Sequence, residues 1–191
     1  MADKKVAAAL FDVDGTLVDR ERDADANIRT SHSALYATYW SRLRPLPQAA
    51  DLLRACRDHG LAVVLASSAD EAEFKVLRAA LNAEDAIDAA TSSADVKTSK
   101  PAPDLVQVAL DKAGVAAHEA VFVGDTVWDV QACRKANVPI IGLLSGGICR
   151  DELTAAGAAQ VYPGPAELLA DLGDSLLGRT AKDRRTVSEL E

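Results

Sequence analysis

Four acids stand out by their position. Asp12 and Asp14 follow an apolar run at residues 6–11, in the string Asp12-Val13-Asp14-Gly15-Thr16-Leu17. Asp125 and Asp129 follow a second apolar run at residues 120–123, in Gly124-Asp125-Thr126-Val127-Trp128-Asp129. A short, wholly apolar run is the mark of a strand buried on both faces of a parallel sheet. Open α/β sheets take their ligands outside the carboxyl ends of such strands. Uncompensated carboxylates at a buried strand end are costly, so two pairs of them call for an explanation. The plain alternative for one pair is an Asx-turn with solvated acids. A calcium loop of the EF-hand type does not fit: its sixth position, here Leu17, requires glycine, and a helix should precede it.

Two further segments lie at similar junctions. Ser67-Ser68 follows an apolar run at residues 61–66, where a serine pair most often caps a helix. Lys100 stands in Ser99-Lys100-Pro101-Ala102-Pro103-Asp104, held between a serine and a proline-stiffened turn that opens a helix. Lys97 is the weaker lysine, because no proline follows it. His32, His59 and His118 are scattered in helical or loop sequence and read as surface or packing residues.

The elements that must carry these residues alternate. Apolar runs recur at residues 6–11, 61–66, 120–123 and 139–144, with a weaker one at 160–162. Helical patterns fall between and after them, at residues 49–59, 71–82, 103–113, 127–136 and 165–172. Gly60, Gly114 and Gly157 sit where helix C-caps are expected. The alternation implies βαβ units and an α/β fold: a doubly wound, Rossmann-like, mainly parallel sheet with helices on both faces. Residues 20–44 break the pattern. Ile28, Leu35, Tyr39 and Leu43 recur there at helical spacing, so one amphipathic helix is inserted after the first strand. Residues 1–177 read as a single domain, and residues 178–191 as a polar, disordered tail.

An Asp-x-Asp-Gly-Thr loop, a strand-end serine, a Lys-Pro pair and a Gly-Asp-x-x-x-Asp loop, in this order, resemble the haloacid dehalogenase-like (HAD) superfamily. The resemblance covers nearly all of residues 6–172 and is nearest to the phosphoglycolate phosphatase and β-phosphoglucomutase branch. It implies a Mg²⁺-dependent phosphatase that hydrolyses small phosphomonoesters, of phosphoglycolate or sugar-phosphate type, through an aspartyl-phosphate. Asp12 is then the nucleophile, and Asp14 the acid that protonates the leaving alcohol and later activates water. Lys100 supplies positive charge, and Ser67 with Ser68 binds the phosphoryl oxygens. Mg²⁺ takes the Asp12 carboxylate, the Asp14 main-chain carbonyl and the Asp125 carboxylate, while Asp129 orients a metal-bound water or Lys100. The same resemblance admits a phosphoglucomutase-like transfer, and a non-catalytic interaction module that keeps the fold is the reading from outside enzymology. Dehalogenation fits less well, because the second acid and the metal acids serve phosphate chemistry.

The chain departs from that branch in its cap. A helical cap of four average helices needs roughly 50 residues or more, and the interval between Asp19 and Pro45 is room for one helix and two turns. The segment carrying His32, Leu35, Tyr36, Tyr39 and Trp40 resembles the last helix of such a cap. Three outcomes stay open: an open site, a site covered by a second copy in a homodimer through the 20–44 helix, or a weak enzyme with a wet site. Trp128 is placed either at the pocket entrance or in packing.

Composition bounds the rest. In 191 residues, 49% are apolar and 26% charged, which excludes global disorder. The net charge of −8 gives no basic face for nucleic acid. Cys56, Cys133 and Cys149 are odd in number and far apart, which suits a reducing compartment. The apolar stretch near Met1 is too short for a signal core or a membrane span. The expectation is a cytoplasmic protein with a small-molecule phosphate ester as its partner.

Overall fold

The computed structural model describes residues 5–19, 43–67, 69–96, 98 and 100–178. Their strands are β1 (Ala8–Phe11), β2 (Ala62–Ala66), β3 (Ala89–Thr91), β4 (Ala120–Gly124), β5 (Ile140–Leu143) and β6 (Gln160–Tyr162). All five pairings are parallel, in the order β3-β2-β1-β4-β5-β6. Chain direction along the sheet reverses between β1 and β4, and that switch point is where ligands enter an open parallel sheet.

The period-two alternation of the strands divides the core into two layers. Ala9 and Phe11 of β1, with Val121 and Val123 of β4, pack on one face against α1 (Ala49–Asp58), α2 (Glu71–Leu81) and α6 (Pro165–Ala170). Ala8, Leu10, Ala120 and Phe122 point the other way, against α3 (Asp104–Ala113), α4 (Val127–Ala136) and α5 (Arg150–Ala156). A doubly wound, three-layer α/β fold results, as the apolar runs imply. Every β1 side chain is fully buried, which explains why that run has no polar residue.

Two elements carry weaker sequence signals than the rest. β3 is three residues long, Ala-Ala-Thr, at the sheet edge, and lacks an apolar run. The seven-residue α5 buries only Leu153 and shows no apolar periodicity. Gly157, expected as a helix C-cap, caps this helix, and Gly114 caps α3. Gly60 follows His59, which caps α1.

Residues 20–42 lie outside the described residues, and with them nearly all of the inserted helix. Its two roots are described, and they meet. Val18 bridges Pro45 antiparallel, Asp19 N donates to Arg44 O at 3.0 Å, and Leu46 N donates to Leu17 O at 2.8 Å. Residues 179–191 also lie outside. Gly178, assigned above to the tail, is instead buried in the 3₁₀ turn Leu176–Gly178, because the chain there packs back on Gly173 and Leu172. No described helix is long and apolar enough to cross a membrane.

The three cysteines are free thiols: Cys56 and Cys133 are buried, and Cys149 is exposed. Burial pushes the Cys56 thiol up to about 12 and the Cys133 thiol well above its ordinary range. Since the thiolate is the nucleophile, iodoacetamide at pH 8 should alkylate one cysteine of the native protein and three after denaturation. Intact-mass spectrometry reads the count, and rapid native alkylation of Cys56 would contradict this packing.

Candidate active site

Asp12 continues the β1 ladder, its N–H donating to Val123 O at 2.9 Å. It shares the parity of Ala8 and Leu10, so its side chain belongs to the face of α3 and α4. Both of those helices bring a group to it. Lys100, in the turn before α3, places Nζ against Asp12 Oδ1 and 2.6 Å from Asp129 Oδ1. The ammonium also stands 5.7 Å from the Phe122 ring centroid, so an apolar floor underlies the charges. Asp129 serves two structures at once. Its Oδ2 accepts from Thr126 N at 3.0 Å and Thr126 Oγ1 at 2.5 Å, closing the capping box of α4, while Oδ1 faces the lysine.

Asp125 enters from the end of β4, and Thr16 ties it to Asp12. The Thr16 hydroxyl lies 2.8 Å from Asp125 Oδ1 and 3.3 Å from Asp12 Oδ2. One hydrogen cannot serve both acceptors at once, so the shorter contact is the bond. Gly15, at φ +85°, turns the chain where an L side chain is strained, and a Cβ there would lie 2.5 Å from Asp125 Oδ2. Gly146 also abuts that carboxylate, so closely that a Cβ would fall inside it. Ser145 Oγ donates to Gly15 O at 2.7 Å. Two glycine backbones thus pack closely on Asp125, and the Ser145 hydroxyl links the two segments.

Asp12, Asp125 and Asp129 are each nine-tenths or more buried, and one oxygen of each lies within 4.8 Å of the others. Three carboxylates face one ammonium, an excess of two negative charges in a dry site. Burial pushes the Asp12 carboxyl up to about 6 against the pull of Lys100, with Asp129 and Asp14 adding to the rise. Burial pushes Asp125 up to about 8, aided by the charges of Asp12 and Asp129. Burial opposes the charge on Lys100, but Asp12 and Asp129 outweigh it and hold the lysine protonated. An all-oxygen donor set with two uncompensated charges fits a hard divalent cation such as Mg²⁺.

The structure therefore brings Asp12, Lys100, Asp125 and Asp129 into one cluster. Asp14 stands two residues past Asp12 in the same turn, half-buried, where its backbone bridges Val18. Ser67 is buried at the end of β2 and accepts from Ala69 N at 3.0 Å. It is not the cap of α2, because Asp70 fills that place by accepting from Glu73 N. Ser68 and Lys97 lie outside the described residues. Trp128 is 55% exposed, which removes the packing alternative for it. Sequence reasoning passed over Thr16, Thr126, Ser145 and Gly146. The first two stand inside the recognised strings. The last two follow β5 with nothing local to mark them except the Ser-Gly-Gly itself.

Comparison with known proteins agrees with this arrangement. The profile of the haloacid dehalogenase-like hydrolases matches residues 32–137, more than half the chain. The chain belongs to the haloacid dehalogenase-like hydrolase family. The family match takes in Lys100, Asp125 and Asp129 and begins after the Asp12 loop. Phosphoglycolate phosphatase of Shigella boydii is 27% identical over 161 residues, 82% of this chain and 64% of that protein. The chloroplastic protein SUPPRESSOR OF QUENCHING 1 of Arabidopsis thaliana is 32% identical over 154 residues, 76% of this chain but 14% of that much longer one. The chain thus spans less than two thirds of the length of these curated relatives. Among solved structures, a hydrolase from Pseudomonas syringae superposes with a TM-score of 0.79 at 26% identity, covering 88% of this chain and 98% of that one.

The raised carboxyls have a consequence for stability. A carboxyl whose folded-state pKa lies above its unfolded value binds its proton more tightly in the fold, so stability is lost as pH rises toward the folded value. In EDTA the melting temperature should fall between pH 5 and pH 8, as Asp125 and Asp12 are forced to ionise. Excess Mg²⁺ should recover it, more at pH 8 than at pH 5. Asp125→Asn should raise the EDTA melting temperature at pH 8 by about 2–4 °C, the effect of roughly 1 kcal/mol in a chain of this size, and should lose much of the Mg²⁺ response. A melting temperature indifferent to Mg²⁺ at pH 8 contradicts the reading of this cluster as a cation site.

Proposed function

We propose that the protein is a Mg²⁺-dependent phosphatase of small phosphomonoesters, acting through an aspartyl-phosphate on Asp12. The observation that carries this is the pairing of a buried strand-end carboxylate with a lysine on one side and two further acids on the other. Phosphoryl transfer asks for little covalent chemistry beyond a placed nucleophile and balanced charge. The names of several relatives, phosphoglycolate phosphatases, support a small acidic or sugar phosphate as the substrate class.

The roles follow from position. Asp12 Oδ attacks phosphorus, a new O–P bond forms and the bond to the leaving oxygen breaks. Asp14 gives that oxygen its proton, the alcohol leaves, and Asp14 remains as carboxylate. In the second half Asp14 takes a proton from water, the water oxygen attacks phosphorus, and Asp12 is regenerated as phosphate leaves. Lys100 holds Asp12 ionised and keeps its free carboxylate oriented. Ser67, which accepts from Ala69 N, retains a hydroxyl proton to give a phosphoryl oxygen, and Ser68 adds its backbone to the same phosphate-binding set. Asp12, the Asp14 carbonyl and Asp125 would hold Mg²⁺, with Asp129 orienting Lys100. The cation, when bound, offsets charge on the transferring phosphoryl group.

A single core domain, a cytoplasmic location and a homodimer through residues 20–44 complete the reading. Three free thiols suit a reducing compartment. The described roots of the insert start directly from the turn that bears Asp14 and Thr16.

Hydrolysis of 4-nitrophenyl phosphate tests the proposal. Wild type with Mg²⁺ should turn it over, EDTA should stop it, and Asp12→Asn should lower kcat by about 10³-fold or more, the scale of losing a covalent nucleophile. Metal-dependent turnover that survives in Asp12→Asn contradicts it. Gly146→Ala, whose methyl must displace Asp125, should lower kcat about 10²-fold, the scale for misplacing a reacting group by an ångström. Gly173→Ala, in open space, should leave kcat within twofold. Equal activities for the two alanine variants would contradict the close packing on Asp125.

A further inference from the structure

We infer that Ser145 is a positioning residue for proton transfer by Asp14, an inference that rests on the phosphatase reading above. Ser145 lies in the 3₁₀ turn Leu144–Gly146 after β5, in a part of the sequence remote from every motif described. Its hydroxyl donates to Gly15 O at 2.7 Å, across 130 residues of chain.

That carbonyl is a sensitive place to hold the turn. It belongs to the peptide joining Gly15 to Thr16, and Thr16 is the residue whose hydroxyl bonds Asp125 at 2.8 Å. On its other side the Gly15 N–H donates to Val18 O at 2.9 Å, and Leu17 and Val18 N–H groups both return to Val13 O. Residues 13–18 therefore form one hydrogen-bonded loop with Asp14 near its apex. Among the bonds described for the Gly15 carbonyl, the Ser145 hydroxyl is the anchor that ties this loop to the neighbouring strand connection.

The geometry on the far side makes the anchor a stiff one. Gly146, the next residue, packs its backbone against the Asp125 carboxylate, and Gly15 packs against the same carboxylate. Ser145 is half-buried, so the bond is partly shielded from competing water. Asp12 keeps two holds that do not pass through this anchor, the β1 ladder and Lys100. Loss of Ser145 should therefore leave attack on phosphorus in place and impair proton delivery by Asp14.

Leaving groups separate the two. 4-Nitrophenolate is a stable anion and departs without a proton, whereas an alkoxide needs one. kcat/KM reports the steps through formation of the aspartyl-phosphate. For Ser145→Ala we expect kcat/KM on 2-phosphoglycolate to fall about five- to tenfold, the scale of one lost hydrogen bond. On 4-nitrophenyl phosphate it should change by less than twofold. Ser145→Thr, which restores the hydroxyl, should recover the alkyl ester to within about twofold. Circular dichroism and melting of each variant establish that the fold is intact, and assays run well below the melting temperature. A purely structural role would depress both esters equally and leave Asp14 chemistry unselected. Equal losses on the two esters, no loss on either, or failure of Ser145→Thr to recover overturn the inference. Wild type turning over neither ester with Mg²⁺ would overturn the phosphatase reading itself, and this inference with it.

Discussion

Burying carboxylates without enough positive charge is the constraint around which this molecule is arranged. Asp12, Asp125 and Asp129 meet at the carboxyl ends of β1 and β4 with Lys100 among them, three carboxyl groups for one ammonium, so full ionisation leaves two negative charges in excess. In water such a group would scatter; in the fold it is held by elements that cannot relax. β1 and β4 are fully buried and locked in parallel register, and the Thr126 capping box fixes Asp129 on the first turn of α4. The unfavourable charge is a state the fold stores and a divalent cation relieves. Such storage is common where function requires preorganised polar groups in a dry site.

The two-layer core explains how the lysine arrives. Strand alternation sends Asp12 to the face of α3 and α4, and the turn opening α3 carries Lys100 there. Lys135, in the last turn of α4, donates to Pro101 O at 2.8 Å, so the helix bearing Asp129 also steadies the loop bearing Lys100. One helix thereby fixes both members of the Lys100–Asp129 pair. On the other side of Asp12 the arrangement is made of backbone rather than side chains: Gly15 and Gly146 close on Asp125, and side-chain freedom there is nil.

How much of this the residues announce depends on the range of the interaction. β1, β4 and α4 are legible because each is a continuous apolar or periodic run, and Asp12, Lys100, Asp125 and Asp129 are legible because each stands at the junction where such a run ends. β3 and α5 give no comparable signal: three small residues at a sheet edge and a seven-residue charged helix bury too little to impose a pattern. Ser67 stands at the end of the apolar run that marks β2, but the cap of α2 is Asp70, which immediately precedes the helix and accepts from Glu73 N. Ser145 and Gly146 were invisible for a different reason. Their meaning lies in contacts with Gly15 and Asp125, and only the parallel pairing of β4 with β5 brings these segments together. The insert at residues 20–42 stays an expectation of the sequence, with its paired roots at Val18 and Pro45 as the described part.

The covalent intermediate is the most direct test of the whole account. The protein is mixed with a phosphomonoester and Mg²⁺, quenched in acid within one turnover and reduced with borohydride, which converts an acyl-phosphate to an alcohol. Peptide mass spectrometry then reads each carboxylate separately. The account predicts conversion of Asp12 to homoserine, dependent on both ester and Mg²⁺, with Asp14, Asp125 and Asp129 unchanged. Conversion at another acid, or none at Asp12 in a sample that is turning over, would contradict it.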